Sequence, residues 1–125
     1  MTISIGIDLT SADAVADSLR DHGERYLERV YTEREIRDCA SESGRLAARF
    51  AAKEATMKAL RRDDEAIPWT SIGVRLDGAG RPSLELTGAA AALARRRAAG
   101  DLAVSLTHEG QFAAAVVIAD LGEEK

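Results

Sequence analysis

Residues 45–61 read RLAARFAAKEATMKALR and form the clearest helical pattern in the chain. Leu46, Phe50 and Met57 are separated by one or two helical turns, so a helix places them on one apolar face. Glu54 lies in the middle of that face. A carboxylate on a buried face is costly unless it is paired or coordinates a metal. Glu54 is therefore the residue whose position most needs a chemical explanation.

An ordinary ion pair is the competing interpretation of Glu54. Lys58 follows it by one helical turn and lies on the same side of the helix. Glu-to-Lys pairs at this spacing are common and stabilise a helix by roughly 0.2–0.5 kcal/mol. The pattern alone leaves both interpretations open.

The N-terminal stretch predicts a strand with an acid near its end. Residues 3–9 alternate between aliphatic side chains and small or polar ones, which is the period of a strand. Asp8 follows Gly6 on the face opposite the isoleucines. Together with Glu54, it offers two hard oxygen ligands, and proteins commonly hold Mg²⁺ in that way beside phosphates and water. The alternative is a turn or capping aspartate near Ser11.

Two further features are candidates for phosphate contacts. His108 ends the alternating strand 102–108, where a histidine can donate to a phosphate or transfer a proton, although many strand-end histidines are simply half-buried. Arg45, Arg49 and Lys53 recur at the helical spacing beside the Glu54 face. This basic ridge is either a solvated face or a phosphate-binding edge.

The remaining patterns predict elements in the order β-α-α-α-β-β-α-β-β. Ser11 can cap a first helix whose middle is weakened at His22-Gly23, and Thr32 with Glu35 forms a capping-box pattern. Predicted helices cover 12–30, 33–41, 45–61 and 89–98, the last stopped by Gly100, and predicted strands cover 3–9, 72–76, 84–86, 102–108 and 112–119. Because helices and hairpins are grouped, we expect an α+β fold with a mostly antiparallel sheet and a long packed helix.

Composition sets the class of protein. The 125 residues fit one domain, 1–125, and carry 17 Lys and Arg against 21 Asp and Glu, which argues against nucleic-acid binding. The single cysteine, Cys39, excludes an internal disulfide and a cysteine-based zinc site. No apolar run is long enough for a membrane span, and the first residues lack the basic region of a secretory signal. We therefore expect a cytoplasmic protein.

Five short motifs, in order over nearly the whole chain, resemble those of the holo-[acyl-carrier-protein] synthases, the small trimeric class of 4′-phosphopantetheinyl transferases. The most specific of them surrounds Lys53-Glu54-Ala55. The motifs are IGIDL at 5–9, YLERVYTERE at 26–35, RFAAKEATMKAL at 49–60, GRP at 80–82 and VSLTH at 104–108, the last followed by AAAVV at 113–117. The resemblance implies the 4′-phosphopantetheinyl transferase fold.

The resemblance also implies a reaction. Such an enzyme moves the 4′-phosphopantetheine arm of coenzyme A to a serine of an apo acyl carrier protein and releases adenosine 3′,5′-bisphosphate. It implies that Asp8 and Glu54 bind Mg²⁺ and act in catalysis with Lys58, which would contact the same phosphates. A metal-bound water or a carboxylate would take the serine proton, and both remain open as the base.

Binding sites follow from the same resemblance. The coenzyme contacts that it implies are Arg49, Lys58, His108, Arg81 and Pro82. The basic residue that usually starts the first helix is absent, so the candidates for docking an acidic carrier are Arg20, Arg25 and Arg29. The resemblance further implies a homotrimer with sites between subunits, and a carrier of fatty-acid biosynthesis or a specialised one, as in polyketide biosynthesis.

One stretch departs from the family pattern. A Gly-rich turn usually follows the long helix, whereas residues 61–65 read RRDDE. Backbone amides of a Gly turn suit phosphate and an acidic run does not, so either Arg61 or Arg62 compensates or the loop points away. The departure motivates an alternative function, a non-catalytic carrier-protein-binding module with a degenerate nucleotide pocket. A third hypothesis is an unrelated oligomeric scaffold, in which Asp8 and Glu54 lie far apart.

Overall fold

The computed structural model describes residues 2–122, so Met1 and residues 123–125 of the predicted domain lie outside it. No helix in this part of the chain is long and apolar enough to cross a membrane. The strands are β1 (Thr2–Ser11), β2 (Ile72–Leu76), β3 (Pro82–Leu86), β4 (Ala99–Glu109) and β5 (Phe112–Leu121), and the helices are α1 (Ala12–His22), α2 (Glu24–Val30), α3 (Glu33–Cys39), α4 (Ser43–Ala59) and α5 (Gly88–Arg96). The predicted α+β class is confirmed.

All strand pairs are antiparallel, but they form two sheets. One sheet has the order β1-β5-β4, and the other is the hairpin β2-β3. Helix α4 packs on the three-stranded sheet, and alanines with no solvent exposure line its buried sides. Small side chains allow the helix axis to approach the sheet closely, which positions the site described below.

Local signals in the sequence account for three of the helix boundaries. The Ser11 hydroxyl accepts a hydrogen bond from the Ala14 amide at 3.1 Å and caps α1. Thr32 and Glu35 form the predicted capping box at the start of α3. The helical stretch over 12–30 is divided at Gly23, where the sequence indicated a possible break, and the positive φ of 55° at this glycine ends α1.

The prediction that Gly100 ends the last helix is wrong. Helix α5 stops earlier, at Arg96, and Gly100 lies inside β4, where the pairing with β5 shifts register between Ala99 and Leu102. A glycine is tolerated at such an irregularity because it needs no side-chain packing.

The face of β1 and β5 opposite α4 is apolar and exposed to solvent. Ile5 and Ile7 of β1 are 62% and 64% exposed, and they lie beside Ile118 and Val116 of β5. The strand period was predicted from these aliphatic side chains, yet they lie outside the core, because Ser4, Gly6 and Asp8 face the helix instead. This outer face comprises Ile3, Ile5, Ile7, Leu9, Phe112 and Ile118.

Candidate functional site

Asp8 and Glu54 are brought together by the contact between β1 and α4. Gly6 lies so close to α4 that a Cβ on it would stand 1.9 Å from the Ala55 carbonyl oxygen. Only a residue without a side chain allows this approach. Asp8 is two residues further along the same face of the strand and Glu54 precedes Ala55, so the two predicted acids belong to one site.

Lys58 joins the strand to the helix at this site. Its ammonium donates a hydrogen bond to the Ile7 carbonyl at 2.9 Å and lies 3.4 Å from Oδ1 of Asp8. The Lys58 side chain is 55% exposed and that of Asp8 is 18% exposed. The second Asp8 oxygen accepts from the Thr10 hydroxyl at 3.0 Å. Asp8 is thus held in place while Lys58 keeps access to solvent.

The electrostatics of Glu54 reflect a half-buried carboxylate near a second one. Burial is the largest cause that raises the pKa of Glu54, and the Asp8 carboxylate raises it further. The cations Lys58 and Arg62 act in the opposite direction. A divalent cation would relieve the repulsion that the Asp8 carboxylate exerts on Glu54.

The residues that could hold a cation here are Asp8 and Glu54. Residues 2–122 contain no group of three or more His, Cys, Asp and Glu side chains placed to hold a metal. Two carboxylates are a small set of ligands, and it suits Mg²⁺, which usually keeps several water or phosphate ligands of its own. The chemistry of the donors therefore fits the predicted magnesium site.

A cleft of about 280 Å³ adjoins the acid pair at the C-terminal end of α4. It is lined by Glu54, Met57, Lys58, Arg61 and Arg62. Three of these five side chains are cationic, so the cleft combines one carboxylate with the charges that attract phosphate.

A larger cleft, of about 520 Å³, lies between the other end of α4, the β2-β3 hairpin and β4. It brings together three residues of the predicted coenzyme site, Arg49, Pro82 and His108. Of the other two, Lys58 lines the smaller cleft, and Arg81 is exposed and does not line the larger one, although the neighbouring Gly80 does. Asp38 and Arg45 complete the charged part of the lining.

Arg49 is buried in the wall of this larger cleft. It is 6% exposed, and its Nε has no hydrogen-bond partner within residues 2–122. A buried donor without a partner costs free energy unless a ligand or water satisfies it. The ridge predicted from Arg45, Arg49 and Lys53 is therefore not a solvated face, since two of its three members are buried.

Lys53 has a role that the sequence did not reveal. It is fully buried and forms an ion pair with Glu35, with 2.7 Å between Nζ and Oε1. Lys53 also donates to the carbonyls of Trp69 and Ile72, and Glu35 accepts from the Val74 amide at 3.0 Å. The sequence indicated only that Glu35 belongs to a capping box, and nothing in the sequence links Glu35 to a lysine on another helix.

The arginines predicted to dock a carrier are only partly brought together. Arg25 and Arg29 of α2 line a cleft of about 400 Å³ with His22 and Tyr26. Arg20 does not line that cleft and is paired on the surface with Asp17 at 3.0 Å and with Asp21 at 3.5 Å. The basic surface is thus centred on α2.

The sequence is similar to those of known proteins over almost its whole length. Residues 4–117 match the model of the 4′-phosphopantetheinyl transferase superfamily. The chain is 45% identical to a holo-[acyl-carrier-protein] synthase of Paramagnetospirillum magneticum, with 96% of this chain and 97% of that protein covered. It is 38% identical to the protein of the same name from Koribacter versatilis, with 94% and 98% covered.

Solved structures of similar proteins share the fold. The Helicobacter pylori holo-[acyl-carrier-protein] synthase in complex with coenzyme A has a TM-score of 0.84 at 27% identity, covering 93% of this chain and 99% of that one. A coenzyme A complex of the Chronobacterium ammoniagenes protein has a TM-score of 0.84 at 30% identity, covering 98% and 100%. Fold and sequence agree, and this chain belongs to the 4′-phosphopantetheinyl transferase superfamily.

Proposed function

We propose that this chain is a holo-[acyl-carrier-protein] synthase that transfers the 4′-phosphopantetheine group of coenzyme A to a serine of an apo acyl carrier protein. The other product is adenosine 3′,5′-bisphosphate. The observation that carries the proposal is the meeting of Asp8, Glu54 and Lys58 beside a cationic cleft. The names of the relatives and the coenzyme A complexes of similar structures support it.

The site residues divide the chemistry between them. Asp8 and Glu54 would hold Mg²⁺, and the bound cation would supply charge neutralisation at the coenzyme diphosphate. Lys58 reaches the same phosphates as a point charge because its ammonium already lies beside Asp8. The proton of the carrier serine passes to a carboxylate of the pair or to a water molecule held there.

The larger cleft supplies the rest of the coenzyme site. Arg49 and the exposed His108 line the same cleft, and a guanidinium together with an imidazole suits a phosphate of the nucleotide. Pro82 adds an apolar wall. This cleft and the acid pair lie toward opposite ends of α4, and a second subunit would bring one next to the other.

The outer face of the sheet supports an assembly of several copies, which we propose is a homotrimer. Aliphatic side chains such as Ile5, Ile7 and Leu9, each more than 60% exposed, form a row along β1. Contiguous apolar surface of this kind marks an interface in proteins that stay in solution. A complete site would then take Asp8 and Glu54 from one subunit and Arg49 and His108 from its neighbour.

Arg25 and Arg29 are the proposed docking residues for the carrier. They share one cleft on α2 and give it two positive charges. Opposite charges across an interface raise the rate of encounter and select partners. The same role is weaker for Arg20, whose charge is already matched by two aspartates. The protein and its carrier would meet in the cytoplasm, in the biosynthesis of fatty acids or of polyketides.

A transfer assay followed by intact-protein mass spectrometry tests the proposed function. Purified protein, coenzyme A and Mg²⁺ are incubated with a panel of apo carriers from fatty-acid and polyketide systems, and one carrier at least should gain the phosphopantetheine mass. Calorimetric titration with coenzyme A and Mg²⁺ accompanies the assay. Carrier binding without mass gain and without heat from the coenzyme would support the non-catalytic binding module instead.

A further inference from the structure

The turn that follows α4 has an unusual backbone for its sequence. Arg61 adopts a positive φ of 55°, in the left-handed region that favours glycine. The Arg61 amide donates to the Lys58 carbonyl at 3.1 Å, and the Arg62 amide donates to the Met57 carbonyl at 3.0 Å. The turn therefore closes as a glycine turn would, with an arginine in the strained position.

Arg97, the residue after α5, holds this turn. Its Nε donates to the Leu60 carbonyl at 3.0 Å, and one Nη donates to the Arg61 carbonyl at 2.7 Å. The carboxyl end of a helix carries negative partial charge, which repels phosphate. A buried guanidinium on these last carbonyls cancels that charge, so an anion can approach the end of α4.

The acidic part of the loop is drawn away from the cleft by α5. Asp63 accepts from Arg97 at 3.2 Å, and Glu65 accepts from Arg96 at 2.7 Å. The cleft beside Glu54 is lined by Arg61 and Arg62 but by none of the three acids that follow them. The side chains of both arginines make no hydrogen bond or ion pair with the described residues 2–122.

We infer that Arg61 and Arg62 bind the diphosphate of coenzyme A together with Lys58, and that Arg97 is the positioning residue that holds them there. The inference rests on the proposed function and adds residues that the sequence left undecided. The carrier protein is the other anion that could reach these arginines. The diphosphate is favoured because the pair lines the same small cleft as Glu54 and Lys58, the residues proposed to act on the phosphates.

Steady-state kinetics of Arg61→Ala and Arg62→Ala test the binding role. We expect each variant to raise the KM for coenzyme A at least fivefold, to change kcat less than twofold and to leave the KM for the carrier unchanged. The same loss should appear with 3′-dephospho-coenzyme A, which keeps the diphosphate. Arg75→Ala is the matched control, because Arg75 lies on β2 and pairs with Glu85 on the surface.

Each other outcome overturns the inference. A raised KM for the carrier alone would make the pair a docking site. A defect that vanishes with 3′-dephospho-coenzyme A would assign the pair to the 3′-phosphate. Unchanged KM and kcat values in both variants would show that Arg61 and Arg62 do not bind the coenzyme. Inactivity of the unmodified protein would contradict the proposed function itself, which keeps the two failures distinct.

A non-additivity experiment tests Arg97. Arg97→Ala should raise the KM for coenzyme A about as much as loss of the arginine pair, and adding Arg61→Ala and Arg62→Ala to it should raise the KM less than twofold further. Arg95→Ala, which replaces an exposed arginine of α5, is the control. Additive effects, or a kcat loss with unchanged KM, would show that Arg97 supports the fold without positioning the pair.

Discussion

The Lys53 ammonium and the Glu35 carboxylate form an ion pair with no solvent exposure, and this pair ties α4 to α3 and β2. Lys53 directly precedes Glu54, so the ion pair fixes the turn of α4 from which the Glu54 side chain projects. Burial lowers the pKa of Lys53, while the charge of Glu35 opposes that change. An anchor of this kind determines the rotation of α4, and with it the direction of Glu54.

Lys53→Met should destabilise the protein by about 3–5 kcal/mol, because it leaves Glu35 buried without its cation. The double variant Lys53→Met with Glu35→Gln should recover part of that loss. Chemical denaturation measures the free energy of unfolding. Arg34→Met, at an exposed position of α3, is the control, and it should change this free energy by less than about 0.5 kcal/mol. A loss no larger than that of the control would show that the pair contributes little.

Gly6→Ala should unfold the protein or separate β1 from α4. The added methyl would stand 1.9 Å from a backbone oxygen, and backbone atoms cannot move aside as a flexible side chain can. We expect the free energy of unfolding to fall by several kcal/mol and transfer activity to be lost with it. Gly78→Ala is the matched control, since a Cβ at Gly78 meets nothing within 4 Å. Equal stability of the two variants would contradict the close approach.

Asp8→Asn and Glu54→Gln should each abolish transfer and the stabilisation of the protein by Mg²⁺, while the fold survives. Each variant removes one of the two charged oxygen ligands, and a cation that stabilises the folded state raises the melting temperature only where it binds. Thermal melts with and without Mg²⁺ separate this loss from misfolding. Asp101→Asn, at an exposed position of β4, is the control. Full activity in both variants would refute the metal assignment.

Ile5→Glu should dissociate the proposed homotrimer and reduce transfer. The substitution places a charge in the middle of the outer face, and burying an unpaired charge in an interface costs more than the apolar contact contributed. Sedimentation or light scattering gives the mass in solution for this variant and for Ser83→Glu, which adds the same charge to exposed β3. A monomeric unmodified protein with full activity would mean that one chain contains the whole site.

Much of the fold follows from local signals, and part of the site does too. The capping box at Thr32 and the alternation in β1 and β4 predicted their elements because caps and strand periods depend on neighbouring residues. Asp8 and Glu54 were found because acids stood out on apolar patterns. The partner of Lys53 was not found, since ion pairs between helices depend on packing that no short window of sequence contains.

The Cys39 thiol should be unreactive in the folded protein. Burial is the main cause that raises the pKa of Cys39 to about 11 from 9.0, so the reactive thiolate is scarce near pH 8. The pKa of Cys39 is higher in the folded protein than in the unfolded chain. The free energy of unfolding is therefore unaffected by this group below about pH 9, and it falls as the pH rises toward 11 because the unfolded chain loses the thiol proton first. Labelling with iodoacetamide at pH 8, followed by mass spectrometry, should modify the protein in guanidinium but not in buffer, and the sequence has only one cysteine to assign. Rapid labelling in buffer, or a free energy of unfolding that does not fall between pH 9 and 11 relative to Cys39→Ala, would show that the thiol reaches solvent.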